Sequence, residues 1–277
     1  MKKLTSVAAA VALVSALTAG TANAGPLFYA INQFTTIQKL DGDTGAVVDS
    51  FAVPFGSGTA ASIAVIGNTG YYTLLSNPNV YKVDMTTHAA LGVGFVTSVS
   101  GQNGITPTSD GHLWFTGSGG QALLEYNTAG TLLSSHAFPT AANSYRDGSV
   151  VFNGFVVANR GDQQGPYDKY AIPAGNGALT VTQLNFIPTV ASGSNGIAFN
   201  GVNFYTSDEV AHVVRKWDIN GNFVSQANLA NSSRYENWTF ASQDIIVVGQ
   251  VPEPGSLALV ALAIAGLALV RKRKSVA

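Results

Sequence analysis

An all-β ring of four-stranded blades, a β-propeller, is the fold class that this 277-residue chain predicts, on three observations. A short strand-like segment recurs at a nearly constant period. A Gly-containing turn follows it in matched places. No stretch between Gly25 and Gln250 carries the apolar period of a long helix.

The repeat is read from five segments. They are Ile37–Asp41, Val80–Asp84, Leu123–Asn127, Tyr167–Ala171 and Val214–Asp218, and their last members are spaced 43, 43, 44 and 47 residues apart. Turns follow at Asp43-Thr44-Gly45, Thr128-Ala129-Gly130 and Asn220-Gly221, where Gly beside Asn or Asp supplies the positive φ of a tight hairpin. Asp41-x-Asp43-x-Gly45 has the opening of a calcium loop but lacks its later ligands, so it reads as an ordinary hairpin turn. Outer strands are expected at Ala46–Phe51, Thr131–Phe138 and Asn222–Leu229.

Upstream of each segment stands a strand rich in aromatic or β-branched residues: Leu27–Ala30, Gly70–Thr73, Leu113–Thr116, Phe155–Ala158 and Asn203–Thr206. A strand of small and apolar residues precedes four of these, at Ser62–Ile66, Gly104–Pro107, Gly148–Phe152 and Gly196–Phe199. The fifth such strand, Trp238–Ala241, comes at the far end of the body and is followed by a further strand at Ile245–Gly249. Four short strands at a period in the low forties are the mark of a propeller blade. Residues 25–250, divided by the period, give about five blades. A sixth stays open, because Leu27–Ala30 and Ile245–Gly249 compete for one slot. The C-terminal strands are expected to close the ring against the N-terminal segment, which removes free sheet edges.

Both ends of the chain are addresses rather than fold. Met1-Lys2-Lys3, the uncharged apolar core Val7–Leu17, and Ala22-Asn23-Ala24 make a Sec signal peptide over residues 1–24, with Gly25 as the new N-terminus. The other end reads Pro252-Glu253-Pro254-Gly255-Ser256, then uncharged Leu257–Val270, then Arg271-Lys272-Arg273-Lys274. The prolines refuse a helix. The 14 apolar residues, as a helix of about 21 Å, reach marginally across about 30 Å of hydrocarbon. The basic cluster stays cytoplasmic and leaves the body outside the inner membrane. Residues 251–277 closely resemble the PEP-CTERM sorting signal of Gram-negative bacteria. The resemblance implies recognition by an exosortase, transient anchoring in the inner membrane, and removal of the tail.

Without its ends the body keeps 8 of 14 Lys and Arg and 14 of 15 Asp and Glu, so its formal charge is −6. An acidic body argues against nucleic acid or anionic lipid as partner. The absence of cysteine excludes disulfides and thiolate metal sites, so a packed core must hold the domain.

Single blades carry family likenesses. Asn103-Gly104-Ile105-Thr106 with Asp110–Thr116 and Leu124-Glu125-Tyr126 resembles a repeat of the streptogramin-lyase and NHL propellers. Ser194-Asn195-Gly196-Ile197-Ala198-Phe199 resembles the matching strand of the gluconolactonase-like propellers, and Asp41–Val48 a quinoprotein-type hairpin without its Trp.

The candidate site comes from position. Asn103, Asp147, Asn195 and Asn237 precede the innermost strands of four repeats, with Ala61 at the fifth place. Inner-strand starts gather at one mouth of a propeller channel, and oxygen-bearing side chains there suit a hard cation such as Ca²⁺. The gluconolactonase likeness implies the same for Asn195, while its glutamate meets only Ala61. The competing reading is that these residues only turn the chain before glycine. Arg146 is the candidate for an acidic ligand or for pairing with Asp147. His88, His112, His136 and His212 have no zinc spacing, and His112 and His136 fall where solvated residues belong. His212 and Glu209 are the nearest match to a lyase pair, in surroundings that do not fit.

These readings point to an exported surface or matrix propeller, non-catalytic and associated with exopolysaccharide and biofilm. A Ca-type lactonase or hydrolase is the alternative from a second class, and a protein-interaction scaffold the third.

Overall fold

The computed structural model describes residues 25–56, 59–75, 77–98, 104–116, 122–139, 148–161, 164–188, 196–229 and 235–241. The chain divides into two units, Met1–Ile245 and Ile246–Ala277. The strands lie in the first, and all of the second lies outside the described residues.

The first blade opens with β1 (Leu27–Asn32), β2 (Thr36–Asp41) and β3 (Val47–Ala52). The second holds β4 (Ala60–Ile66), β5 (Thr69–Leu74), β6 (Asn79–Asp84) and β7 (Ala90–Val96). The third holds β8 (Gly104–Pro107), β9 (Leu113–Thr116), β10 (Ala122–Tyr126) and β11 (Leu132–Ala137). The fourth holds β12 (Ser149–Phe152), β13 (Phe155–Gly161), β14 (Gln164–Ala171) and β16 (Thr180–Ile187), with β15 (Gly177–Ala178) in the connection between the last two. The fifth holds β17 (Ile197–Phe199), β18 (Phe204–Asp208), β19 (Val213–Trp217) and β20 (Phe223–Asn228). The last strand, β21 (Tyr235–Phe240), returns to the first blade and pairs antiparallel with β1, Phe28 opposite Phe240 and Ala30 opposite Trp238.

This settles the blade number at five, because β21 takes the innermost slot of the blade that β1 begins. The expected closure is present. Ile245–Gly249 lies outside the described residues. Three strands were not anticipated from the sequence: β7, β15 and β16. The turn before β7 uses His88 at φ 59 instead of glycine, and β16 follows a long connection that holds β15.

Burial falls from axis to rim. The strands β8, β12 and β17 are buried at every residue, whereas β3 alternates and β20 is almost wholly exposed. Innermost strands are flanked by a blade on either side, which is why β8, β12 and β17 leave no residue exposed. Five apolar clusters fill the five gaps between blades. Phe28, Tyr205, Trp238 and Phe240 fill the closing gap, with Phe28 stacked on Trp238 at 4.3 Å between ring centroids.

The repeating residue found in the sequence has a structural task. At the end of the third strand, Oδ1 of Asp41 accepts from the amides of Asp43 and Thr44 at 2.9 and 2.8 Å. Asp84, Asn127 and Asp218 close their turns in the same way. Amide donors stabilise the carboxylate form: the bonds from Thr87 and Thr86 hold Asp84 below the ordinary carboxylate range, and those from Asn222 do so for Asp218. The fourth blade has Ala171 at this place, and there the turn is replaced by the loop containing β15.

Each such turn reaches across to the outer strand of the preceding blade. Gly45 lies against the Asn228 carbonyl, Gly130 against Phe95, and Gly221 against the Phe186 carbonyl. His88 pairs with Asp49 at 3.0 Å and stacks on Phe51. In the fourth blade Asn176 accepts from the Ser135 amide at 2.9 Å, and β15 adds a parallel strand to β11. Five clasps therefore run round the rim in one direction.

Candidate functional site: the mouth of the central channel

Ladder register places Ser62 opposite Thr73 and Gly104 opposite Thr116. Gly148 pairs with Asn159, whose amide donates to the Gly148 carbonyl while its Oδ1 accepts from the Gly148 amide at 3.3 Å. Gly196 pairs with Ser207 likewise, its amide donating to Oγ at 2.9 Å. Ser62, Gly104, Gly148 and Gly196 thus stand at one level at the start of the inner strands. Ser62 Oγ accepts from the Ile105 amide at 2.8 Å, and Thr106 Oγ1 donates to the Ser149 carbonyl at 2.6 Å, so neighbouring inner strands are bonded directly.

Asn103, Arg146, Asp147 and Asn195 lie outside the described residues. Asn237 lies in β21, but its side chain is outside them too. The register of β21 is informative all the same. Trp238 opposes Ala30, which opposes Gln38, three residues before the turn residue Asp41. Ile197 and Ile105 stand in the same relation to Asp218 and Asn127. Trp238 is therefore in step with Ile105 and Ile197. The ladder is irregular beyond this point, where Asn32 opposes Tyr235, so it does not extend the count past Trp238.

Further into the channel the walls lose their polarity. A narrow space of about 10 Å³, room for about one water, is lined by Thr106, Pro107, Val150, Ala198, Phe199, Trp238, Thr239 and Phe240. None of these residues is ionisable. The hydroxyls and apolar faces here enclose a space too small for a ligand larger than water, and none of them takes up or releases a proton near neutral pH. Among the described residues no group of three or more His, Asp or Glu is placed to hold a metal ion.

At the outer side of the mouth, Asp208 is fully buried and pairs with Arg215 at 2.5 Å. Its Oδ1 accepts from the amides of Val210 and Ala211, at 3.1 and 2.8 Å. Arg160 forks onto both oxygens of Asp168 at 2.6 and 2.7 Å in the neighbouring blade. These charges are spent on holding the β18–β19 and β13–β14 ends.

The histidines are dispersed. His112 Nδ1 lies 2.7 Å from Glu125 Oε1, and Ser134 Oγ donates to the other oxygen of that carboxylate at 2.7 Å. His136 corrects the expectation of a solvated position: it is 1% exposed, stacked beside Trp114, and burial pushes its pKa down. The cover is β15, which pairs Gly177 with His136. His212 lies in the turn before β19, and its carbonyl accepts from the Leu229 amide at 2.9 Å.

Fold and mouth together define a five-bladed β-propeller closed by its C-terminal strand. The tail specifies the protein further: residues 250–274 match the PEP-CTERM protein-sorting motif. The chain is therefore an exported protein recognised by exosortase and handled at the membrane, with a propeller as its body. Among the described residues no helix is long and apolar enough to cross a membrane, and Leu257–Val270 lies outside them. No curated protein matches the chain. Among solved structures it is similar to a chain in the crystal structure of a nidogen/laminin complex, at 13% identity and TM-score 0.53, covering 78% of this chain and 98% of that one. This likeness supports the propeller and selects no activity.

Proposed function

We propose that the chain is a non-catalytic propeller of the cell surface or extracellular matrix, associated with exopolysaccharide and biofilm. The match at 250–274 carries this reading, because it attaches an export address to a body whose channel walls are apolar and hydroxylic. The body's charge of −6 suits a neutral or cation-bridged glycan better than a polyanion.

The test is fractionation of the native host with wild-type protein and a Pro252→Ala, Glu253→Ala, Pro254→Ala variant. Wild-type protein is expected outside the inner membrane, with an intact mass that lacks Arg271–Lys274. The variant is expected to keep its tail and stay with the inner membrane. A wild-type mass that includes Arg271–Lys274 would overturn processing. Failure of the mature protein to co-sediment with the host's own exopolysaccharide would overturn the matrix assignment.

One observation favours a second reading, a Ca-type cation site and a lactonase-like hydrolase at the mouth. Glu236 stands directly before Asn237, and we read it as a second carboxylate beside Asp147, with Asn103 and Asn195, in the proposed ring. Added Ca²⁺ is then expected to raise the Tm of the exported protein, as any ligand of the native state does. That rise should vanish in both Asp147→Ala and Glu236→Gln. A Ca²⁺ response equal in all three proteins retires the site.

A further inference from the structure

The N-terminal end of the described chain meets a carboxylate. The Gly25 nitrogen is 3.0 Å from Asp41 Oδ2, and Gly25 is buried. The other oxygen of Asp41 is occupied by the amides of Asp43 and Thr44. The Gly42 amide donates to the Pro26 carbonyl at 2.9 Å, and Leu27 opposes Asp41 in the ladder, so the whole entry to β1 is fixed on this turn. A side chain at position 25 would place its Cβ 2.5 Å from Asp41 Oδ1, so only glycine fits.

We propose that signal-peptide cleavage completes the first blade by converting the Gly25 amide into an ammonium ion-paired with Asp41. This rests on the reading of Ala22-Asn23-Ala24 as the cleavage site. Before cleavage the nitrogen at 3.0 Å is a neutral amide. Afterwards it carries a full charge and two further donor hydrogens, in a pocket already shaped for it. Charge-assisted bonds to a carboxylate are about twice as strong as neutral ones. The precursor thus holds β1 less firmly than the mature protein does, a cut one residue earlier would leave an amide at the same place, and a cut one residue later would remove the nitrogen altogether.

The electrostatic surroundings favour the pair. Partial burial pushes the Asp41 carboxyl up, but the amides of Thr44, Asp43 and Gly25 outweigh it and hold it below its ordinary value. The other groups facing the turn are Asp43, paired with Lys216 of β19 at 2.9 Å, and Tyr205 of β18. An ammonium that gains a carboxylate has a raised pKa in the folded state. Its contribution is complete below the unfolded value, about 8, and is lost as pH rises through the folded value. On the acid side it is lost as Asp41 protonates, below the ordinary carboxylate range.

The test uses exported protein purified from the native host. A serine is inserted between Ala24 and Gly25, in wild type and in Asp41→Asn. Cleavage after the inserted serine would require Asn23 at the upstream small-residue position, so it stays after Ala24. N-terminal sequencing confirms each mature end. The insertion is expected to lower Tm by roughly 2–4 °C at neutral pH, an effect that fades on raising the pH past the amine's titration. In Asp41→Asn the insertion should have no further effect, because that side chain keeps an oxygen for the turn, as Asn127 does, but no charge for the amine. A wild-type N-terminus other than Gly25 refutes the cleavage reading. An N-terminus at Gly25 with an insertion effect that is absent, or that persists unchanged in Asp41→Asn, refutes the ion pair alone.

Discussion

Gly221→Ala is expected to lower Tm by roughly 5–15 °C, from a loss of about 2–4 kcal/mol. Two costs combine. The residue sits at φ +80, where an L side chain is strained. Its added Cβ would also meet the Phe186 carbonyl oxygen on β16 of the preceding blade. Backbone cannot swing aside as a side chain can, so the clasp between the fourth and fifth blades must open. Gly154→Ala separates the costs. Its φ is +76, and a Cβ there meets nothing within 4 Å. It should therefore show the backbone term alone, about 1–2 kcal/mol. Thermal unfolding of both variants decides the matter. Equal losses would mean that the clasp contributes nothing.

Asp208→Ala is expected to cost about 3–5 kcal/mol, because it leaves the Arg215 guanidinium buried without its partner. The same change removes the acceptor for the Val210 and Ala211 amides, so the β18–β19 turn loosens with it. The double variant Asp208→Asn, Arg215→Met is expected to be more stable than Asp208→Ala. It keeps an oxygen for the turn and puts an apolar stem of similar length where the charge was. Denaturant unfolding measures both. A double variant at least as unstable as Asp208→Ala would show that the ion pair itself contributes net stability.

Much of the architecture was legible because the residues that mark the repeat also perform its local chemistry. Asp41, Asp84, Asn127 and Asp218 recur since each must offer an oxygen to two turn amides, a need that the chain meets with the same residue types each time. Where the need disappears, at Ala171, the pattern weakened and the strands after it were missed. The two-residue β15 has no signature of its own. Its parallel pairing with β11 is a tertiary event, and it turns His136 from a rim residue into a buried one. The candidate site was half legible. Polar residues before Gly104, Gly148 and Gly196 were visible as a series. The fifth place of the series falls in β21, whose pairing with β1 is irregular between Ala30 and Asn32 and whose phase no local turn announces.

The pairing of β21 with β1 also dates the fold within the life of the molecule. A chain threaded outward from its N-terminus delivers β1 first and β21 last of the described strands. Until residue 240 has emerged, the first blade is a three-stranded sheet whose inner edge lies open, with Phe28 lacking Trp238 as its stacking partner. Only residues 241–249 then separate the closing strand from the start of the sorting motif, a reach of at most about 32 Å. In sequence, the strand that completes the ring and the motif that exosortase recognises are therefore near neighbours, delivered one after the other.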